Sequence, residues 1–397
     1  MQNYAWGKRC SSSKVAQLIQ STNPEFIPKE DEPYAELWMG THPSGPSTLK
    51  DLNISLDKYI TEKDFVLGNG IKDTFGVQLP FLFKVLSVNV ALSIQVHPNK
   101  EQAESLHRTF PNIYKDPNHK PELAIALTPF EALCGFRPIS EIKNYLKIIP
   151  ELCAAIGDNK TTTLISSDES TLRDSLKNCF ASLMSQNKEI IAKLLYQFLD
   201  RLSKLDKNAR KVLNADLFER LHKDYPGDVG CFVIYFLNYM TLQPGEAIYL
   251  QANEVHAYLS GDCIECMACS DNVVRAGLTP KLIDVETLIN IASFSCQSAE
   301  AKKFQALEED ECTRVFRPSI QDFAVAQIAI SPGRSYNTVI RNSASILILI
   351  NGKVELSDGR NLKSGSVLFL PASESLKMII PSDSESVLIF QAFANIS

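Results

Sequence analysis

Six histidines stand in the 397-residue chain, and two of them lie among other groups able to hold a metal ion. In Gln95-Val96-His97 the strand period of two turns Gln95 and His97 to one face and Val96 to the other. Pro98-Asn99-Lys100 then ends the strand. Glu122 follows Pro121 at the start of the apolar run 123–127, which puts a carboxylate at the mouth of a strand. His256 closes the segment Gly-Glu-Ala-Ile-Tyr-Leu-Gln-Ala-Asn-Glu-Val-His, 245–256. Taken singly, each residue has an ordinary structural explanation, because buried imidazoles are usually just hydrogen-bonded and glutamates usually exposed. As a set they supply an amide oxygen, two imidazoles and one carboxylate, leaving one net positive charge around a divalent ion. That set suits a Lewis-acidic zinc, and manganese and iron also fit the ligand types.

Cations stand close by in the chain. Arg275 lies in 270–277, Ser-Asp-Asn-Val-Val-Arg-Ala-Gly, and Lys281 follows Pro280. With Lys100 and Lys120 they offer positive charge for an anionic group beside the metal, against the simpler reading of solvated surface charge. Cys263, Cys266 and Cys269 form two overlapping Cys-x-x-Cys steps that imitate a metal site. A ferredoxin-type cluster needs a fourth cysteine three residues further on, and position 273 is valine. Small buried thiols are the expectation there.

The positioning elements fall into three regions. Short β-type runs and turn residues fill 1–138, above all in 80–96. Helical spacing then takes over in 139–227: Leu172, Leu176, Cys179, Phe180, Leu183 and Met184, then Ile190, Ile191, Leu194, Leu195, Phe198 and Leu202. This predicts a packed helical insertion closed by Tyr225-Pro226-Gly227. The β pattern is expected to return in Cys231-Phe232-Val233-Ile234-Tyr235-Phe236 and to resume in a last region from about 315 to 397.

The two later β regions share a repeat. Segment 245–256 aligns without a gap on 365–376, an offset of 365 − 245 = 120, matching Gly245 to Gly365, Leu250 to Leu370, Ala252 to Ala372 and Glu254 to Glu374. Each copy reads as turn, strand, turn, strand, the unit of a double-sheet jelly roll. His256 in the first copy is Leu376 in the second, so chemistry is expected in the first barrel only.

Composition sets the outer bounds. An apolar fraction of 45% and a charged fraction of 22% are those of a soluble globular chain of two or three domains. The formal net charge of −6 argues against a nucleic-acid partner. The sequence shows no apolar leader and no membrane span, and ten scattered cysteines fit a reducing, cytoplasmic setting.

Longer motifs carry a family resemblance. They are Y-A-W-G-K (4–8), P-Y-A-E-L-W-M-G-T-H-P (33–43), L-P-F-L-F-K-V-L-S-V (79–88) and A-L-S-I-Q-V-H-P-N-K (91–100). N-H-K-P-E-L-A-I-A-L-T-P-F-E-A-L-C-G-F-R-P (118–138) and the stretch 256–281 from His256 to Lys281 complete the set. In these the chain resembles the type I phosphomannose isomerases. The resemblance implies a cupin fold and one zinc per chain, bound by Gln95, His97, Glu122 and His256. It implies interconversion of mannose 6-phosphate and fructose 6-phosphate, feeding GDP-mannose synthesis, with Arg275 in the active site. On this reading Glu265 and Lys100 are candidates for the proton shuttle, and Ser93, Lys120, Tyr258 and Lys281 for substrate contact.

The expected architecture is mainly β with a helical insertion: two cupin-like jelly-roll barrels plus an α-helical domain. The catalytic cupin domain takes 1–138 plus 228–300, the helical insertion 139–227 and the C-terminal cupin-like domain 301–397. The expected partner is a small-molecule sugar phosphate, with no nucleic acid and no membrane, and the chain is expected to be a monomer. Two departures from the family stand out. Val255 replaces a frequent proline before the histidine, and the strand that usually precedes Y-A-W-G-K is missing, which predicts a bare sheet edge. An iron dioxygenase on the same fold is disfavoured by Gln95 and the cations. A non-catalytic sugar-binding relative is disfavoured by the full ligand set with Arg275.

Overall fold

The computed structural model describes residues 1–396. Phe81–Val88, rich in aromatic and branched side chains, forms a strand buried at every position. It lies between Glu36–Met39 and His256–Ala268 in a nine-stranded antiparallel sheet that ends on Phe130–Phe136 and Leu237–Leu242. Ile94–Val96, Glu122–Ala126, Ala247–Leu250 and Val274–Gly277 branch from that path.

One long strand causes the branching. His256–Ala268 runs for 13 residues and changes partners along its length. Its first residues pair with Ile94–Val96 and Phe130–Phe136, its last with Phe81–Val88 and Glu122–Ala126. The changeover falls after a register shift between Tyr258 and Ser260. There Gly261 adopts φ +110, and a Cβ would sit 2.6 Å from the Pro129 carbonyl oxygen. Only glycine fits such a bend. The strand therefore serves two layers that face each other, and the side chains between them form the site.

The helical expectation holds. Seven helices run from Ile139–Ile148 to Ala215–Asp224, and the spaced apolar residues of Leu172–Met184 and Lys188–Ser203 are buried except Leu172, which is partly buried, and Ile190, which is exposed. They cover the outer face of the sheet at Val96, Leu133, Phe136, Ala257 and Leu259. The strand expected at 231–236 is not there. Gly230–Val233 is a short helix followed by a turn, and the strand begins at Leu237. Asp228 Oδ1 accepts from the Gly230 amide at 2.7 Å and starts that helical turn. All six side chains are fully buried, Phe232 and Tyr235 against Phe198 and Phe218. A run apolar on every side carries no period, so strand and helix look alike in sequence.

Beyond residue 306 a six-stranded and a four-stranded antiparallel sheet stack on one another. Ser345–Asn351 shows why its sequence is continuously apolar. Ile346, Ile348 and Ile350 face the nine-stranded sheet at Phe83, Val85, Ile125 and Ile264. Leu347 and Leu349 face the four-stranded sheet at Val354, Leu356 and Met378. The 120-residue repeat is reproduced residue for residue. Ala247–Leu250 matches Val367–Leu370, Gly245 (φ +86) matches Gly365 (φ +87), and Asn253 (φ +68) matches Ser373 (φ +64).

The edge strand Glu36–Met39 is not bare along its whole length. Gln2 bridges Glu36, and its carbonyl accepts from the Ala35 and Glu36 amides at 3.1 and 3.2 Å. Among the described residues no helix is long and apolar enough to cross a membrane.

Candidate functional site

Strand register brings the first two ligand candidates together. His256 stands opposite Gln95, and Arg275 is paired with Gln95 on its other side. Glu122 comes from the facing layer, where Leu250 and Met267 flank it. Glu122 Oε1 lies 3.4 Å from His97 Nε2, and Oε2 lies 3.4 Å from His256 Nε2. The Gln95 amide nitrogen is 3.5 Å from His97 Nε2 and 3.3 Å from His256 Nε2. His97, Glu122 and His256 are almost fully buried.

Both imidazoles are held by their other nitrogen. His97 Nδ1 donates to the Asn272 carbonyl at 2.7 Å, and His256 Nδ1 to the Glu254 carbonyl at 2.9 Å. That fixes the tautomer and turns each Nε2 lone pair inward. Burial pushes His97 down to about 4, so it is neutral at pH 7. The Glu122 carboxyl also meets a burial penalty, but His97, His256 and Lys120 together hold it well below the usual range. Its Oε2 has no hydrogen-bond donor among the described residues although it is buried. Lone pairs of two imidazoles and a carboxylate thus converge on one point. The chemistry of this donor set fits zinc. Ser93 Oγ donates to Gln95 Oε1 at 3.2 Å, so the fourth candidate must turn its amide over to present that oxygen to a metal.

Next to this cluster lies a residue that sequence reasoning passed over. Lys84 is buried in the middle of Phe81–Val88, directly opposite Glu265. Its ammonium is 2.9 Å from Glu265 and 3.6 Å from Glu36. Burial opposes its charge, but Glu265 and Glu36 outweigh that and raise its affinity for the proton. Burial, with Glu122 and Glu36 nearby, pushes the Glu265 carboxyl up despite Lys84. A lone lysine inside an eight-residue apolar strand was the available signal, since lysine is almost never fully buried without a partner.

The remaining candidates separate by position. Arg275 is half-buried, and among the described residues its guanidinium makes no ion pair. Lys281 is exposed and its ammonium is lowered by partial burial and by Arg275. Lys120 approaches Glu122 Oε1 at 3.7 Å. Tyr258 is buried, and its hydroxyl, raised by that burial, has no hydrogen-bond partner among the described residues. Lys100 is exposed at the start of Lys100–Thr109, bonded to Asn118 Oδ1 at 2.9 Å and joined to the cluster by no contact among the described residues. The cysteine triplet is not a metal site. Cys263 packs with Leu86 and Tyr258, whereas Cys266 packs with Phe83 and Ile264 in a different part of the core. A step of three along a strand puts them on opposite faces.

Comparison with known proteins agrees with this geometry. The family model for the catalytic domain of type I phosphomannose isomerase matches residues 1–139, and that for its helical insertion domain matches 155–237. Mannose-6-phosphate isomerase of Bos taurus is 47% identical to this chain, covering 99% of it and 96% of the relative. A zinc-bound mannose 6-phosphate isomerase structure superposes with a TM-score of 0.82 at 30% identity, covering 100% of this chain and 97% of the other. A point mutant of phosphomannose isomerase from Salmonella typhimurium gives 0.82 at 31% identity, with the same coverage. On family model, sequence and structure alike, this chain belongs to the type I phosphomannose isomerase family.

Proposed function

We propose that this chain interconverts mannose 6-phosphate and fructose 6-phosphate by proton transfer between C1 and C2 through an enediol. Gln95, His97, Glu122 and His256 would hold one zinc ion per chain. When bound, zinc polarises the sugar carbonyl as a Lewis acid. The observation that carries the reading is the convergence of His97, Glu122 and His256 beside the buried Lys84–Glu265 pair.

The chain's own side chains then divide the work. Glu265 is the candidate best suited to move the proton, because burial raises its carboxyl and Lys84 lies within hydrogen-bond reach. Lys100, exposed and engaged with Asn118, suits an entrance role better than a proton shuttle. Arg275 offers an unpaired guanidinium to the developing enediolate or the phosphate, and Lys120 and Lys281 add charge around it. Ser93, bonded to the Gln95 amide oxygen, and Tyr258, close to Glu265, are the candidates for further substrate contact.

The matching hairpins support an architecture of two cupin-like jelly rolls, 1–138 plus 228–300 and 301–397, with the helices of 139–227 inserted in the first. The reading includes a monomer in the cytoplasm that supplies mannose units for GDP-mannose synthesis. The test is zinc quantification beside a coupled assay with mannose 6-phosphate. About one zinc per chain and turnover abolished by a chelator are expected. Full turnover in metal-free protein would refute the metal assignment.

A further inference from the structure

The loop that delivers His256 is clamped from outside. Glu254, two residues earlier, is buried, and both its carboxylate oxygens accept from the Lys302 ammonium at 2.9 Å. The two side chains keep only 8% and 5% of their exposure. The Glu254 amide donates to the Gln251 carbonyl, and its own carbonyl takes the His256 Nδ1 proton. Gly135 makes room for the pair. It has φ +63, and a Cβ there would lie 2.2 Å from Glu254 Oε1 and 2.6 Å from Lys302 Cε.

The second copy of the hairpin isolates what this pair is for. Glu374 occupies the equivalent position on the same backbone, after the same left-handed residue. Yet Glu374 is exposed and, among the described residues, makes no ion pair. The turn therefore forms without one. Buried ion pairs are also a poor source of stability, because desolvation cancels most of the attraction. What the first copy has and the second lacks is an imidazole to orient.

We propose that the Lys302–Glu254 ion pair is a positioning device for His256. It holds the Glu254 carbonyl where it keeps the imidazole proton on Nδ1 and the Nε2 lone pair towards the metal. The inference rests on the zinc reading above. Lys302 lies in the Glu300–Lys302 turn, next to the bridge between Ile248 and Lys303, on the segment leading to the C-terminal sheets. The pair thus ties the metal site to the start of that region.

The test compares full-length wild type with the double variant Lys302→Leu/Glu254→Leu, in which an apolar pair replaces the ions. Zinc affinity is read by competition with a chelator, and stability by the Tm of the metal-free protein. The expected result is zinc binding about 10–100-fold weaker with the Tm close to wild type. Zinc affinity within about two-fold of wild type would overturn the proposal. Should the double variant not fold, Lys302→Met is measured the same way, with Lys302→Arg expected to restore affinity. Unchanged affinity in Lys302→Met, or no recovery in Lys302→Arg, also overturns it. Wild-type zinc affinity in His256→Ala would instead defeat the zinc assignment itself.

Discussion

Segments 245–256 and 365–376 share one backbone and differ in what they carry. Both begin on a glycine in the left-handed region and both run through a four-residue strand to a second left-handed residue. The first ends on a buried imidazole among Gln95, His97 and Glu122. The second ends on Leu376, packed against the apolar cluster of Leu347, Leu349 and Met378. Turn and strand therefore depend on glycine and apolar spacing, which both copies keep. The polar interior is a separate addition, and it needs Lys84, Glu254 and Lys302 to partner the buried charges.

The comparison breaks most sharply at its last position. His256→Ala should lower turnover by about 10³-fold or more and release zinc, since metal stabilisation is worth several kcal/mol. Leu376→His should leave zinc content unchanged, because among the described residues the only cluster of imidazoles and carboxylates able to hold a metal is His97, Glu122 and His256. Metal analysis of both variants decides whether position alone makes a site. Next in size, Lys84→Met should cut turnover by about 10²-fold or more while zinc stays bound, separating the proposed proton-transfer pair from the proposed metal ligands. Loss of zinc from that variant would merge the two roles.

The paired glycines sharpen the structural half. Gly245→Ala and Gly365→Ala meet the same positive φ, but their surroundings differ. At 245 the added Cβ meets the movable Arg314 guanidinium at 2.5 Å, whereas at 365 it meets the Leu18 carbonyl oxygen at 2.0 Å. Gly365→Ala should cost about 2–3 kcal/mol and Gly245→Ala about 1, as read by denaturant unfolding. The smallest effect is in pH. His97 drops from the ordinary imidazole value near 6.5 to about 4 in the folded chain, so the unfolded chain binds more protons between those values. Its contribution to metal-free stability is complete above about pH 6.5 and is lost as pH falls towards about 4. His97→Gln should flatten that part of the profile.

Legibility in the sequence followed the range of the interaction. Gln95 and His97 show themselves through a period of two, and the helices of 172–203 through a period near 3.6, because those neighbours are local. The repeat exposed the first hairpin as the one carrying an imidazole. Lys84 escaped because the partner that permits its burial, Glu265, lies 181 residues further along the chain. Lys302 escaped for the same reason. The strand expected at 231–236 failed for a different one: full burial on every side erases periodicity.

One seam in the sheet has a consequence for how the chain can vary. Phe136 and Leu237 are cross-strand partners, and the Arg137 amide donates to the Phe236 carbonyl at 2.8 Å. All of 137–236 is therefore topologically the loop of a β-hairpin. Closing a longer loop costs only about 0.6 kcal/mol for each doubling of its length. Whole helices can be gained or lost there without moving a candidate metal ligand, provided an apolar lid over Val96, Ala257 and Leu259 remains. By contrast, one residue added between His256 and Glu265 would swing either the imidazole or the carboxylate to the opposite face of the same strand. Within a few tens of residues, the chain holds both its most permissive junction and its least.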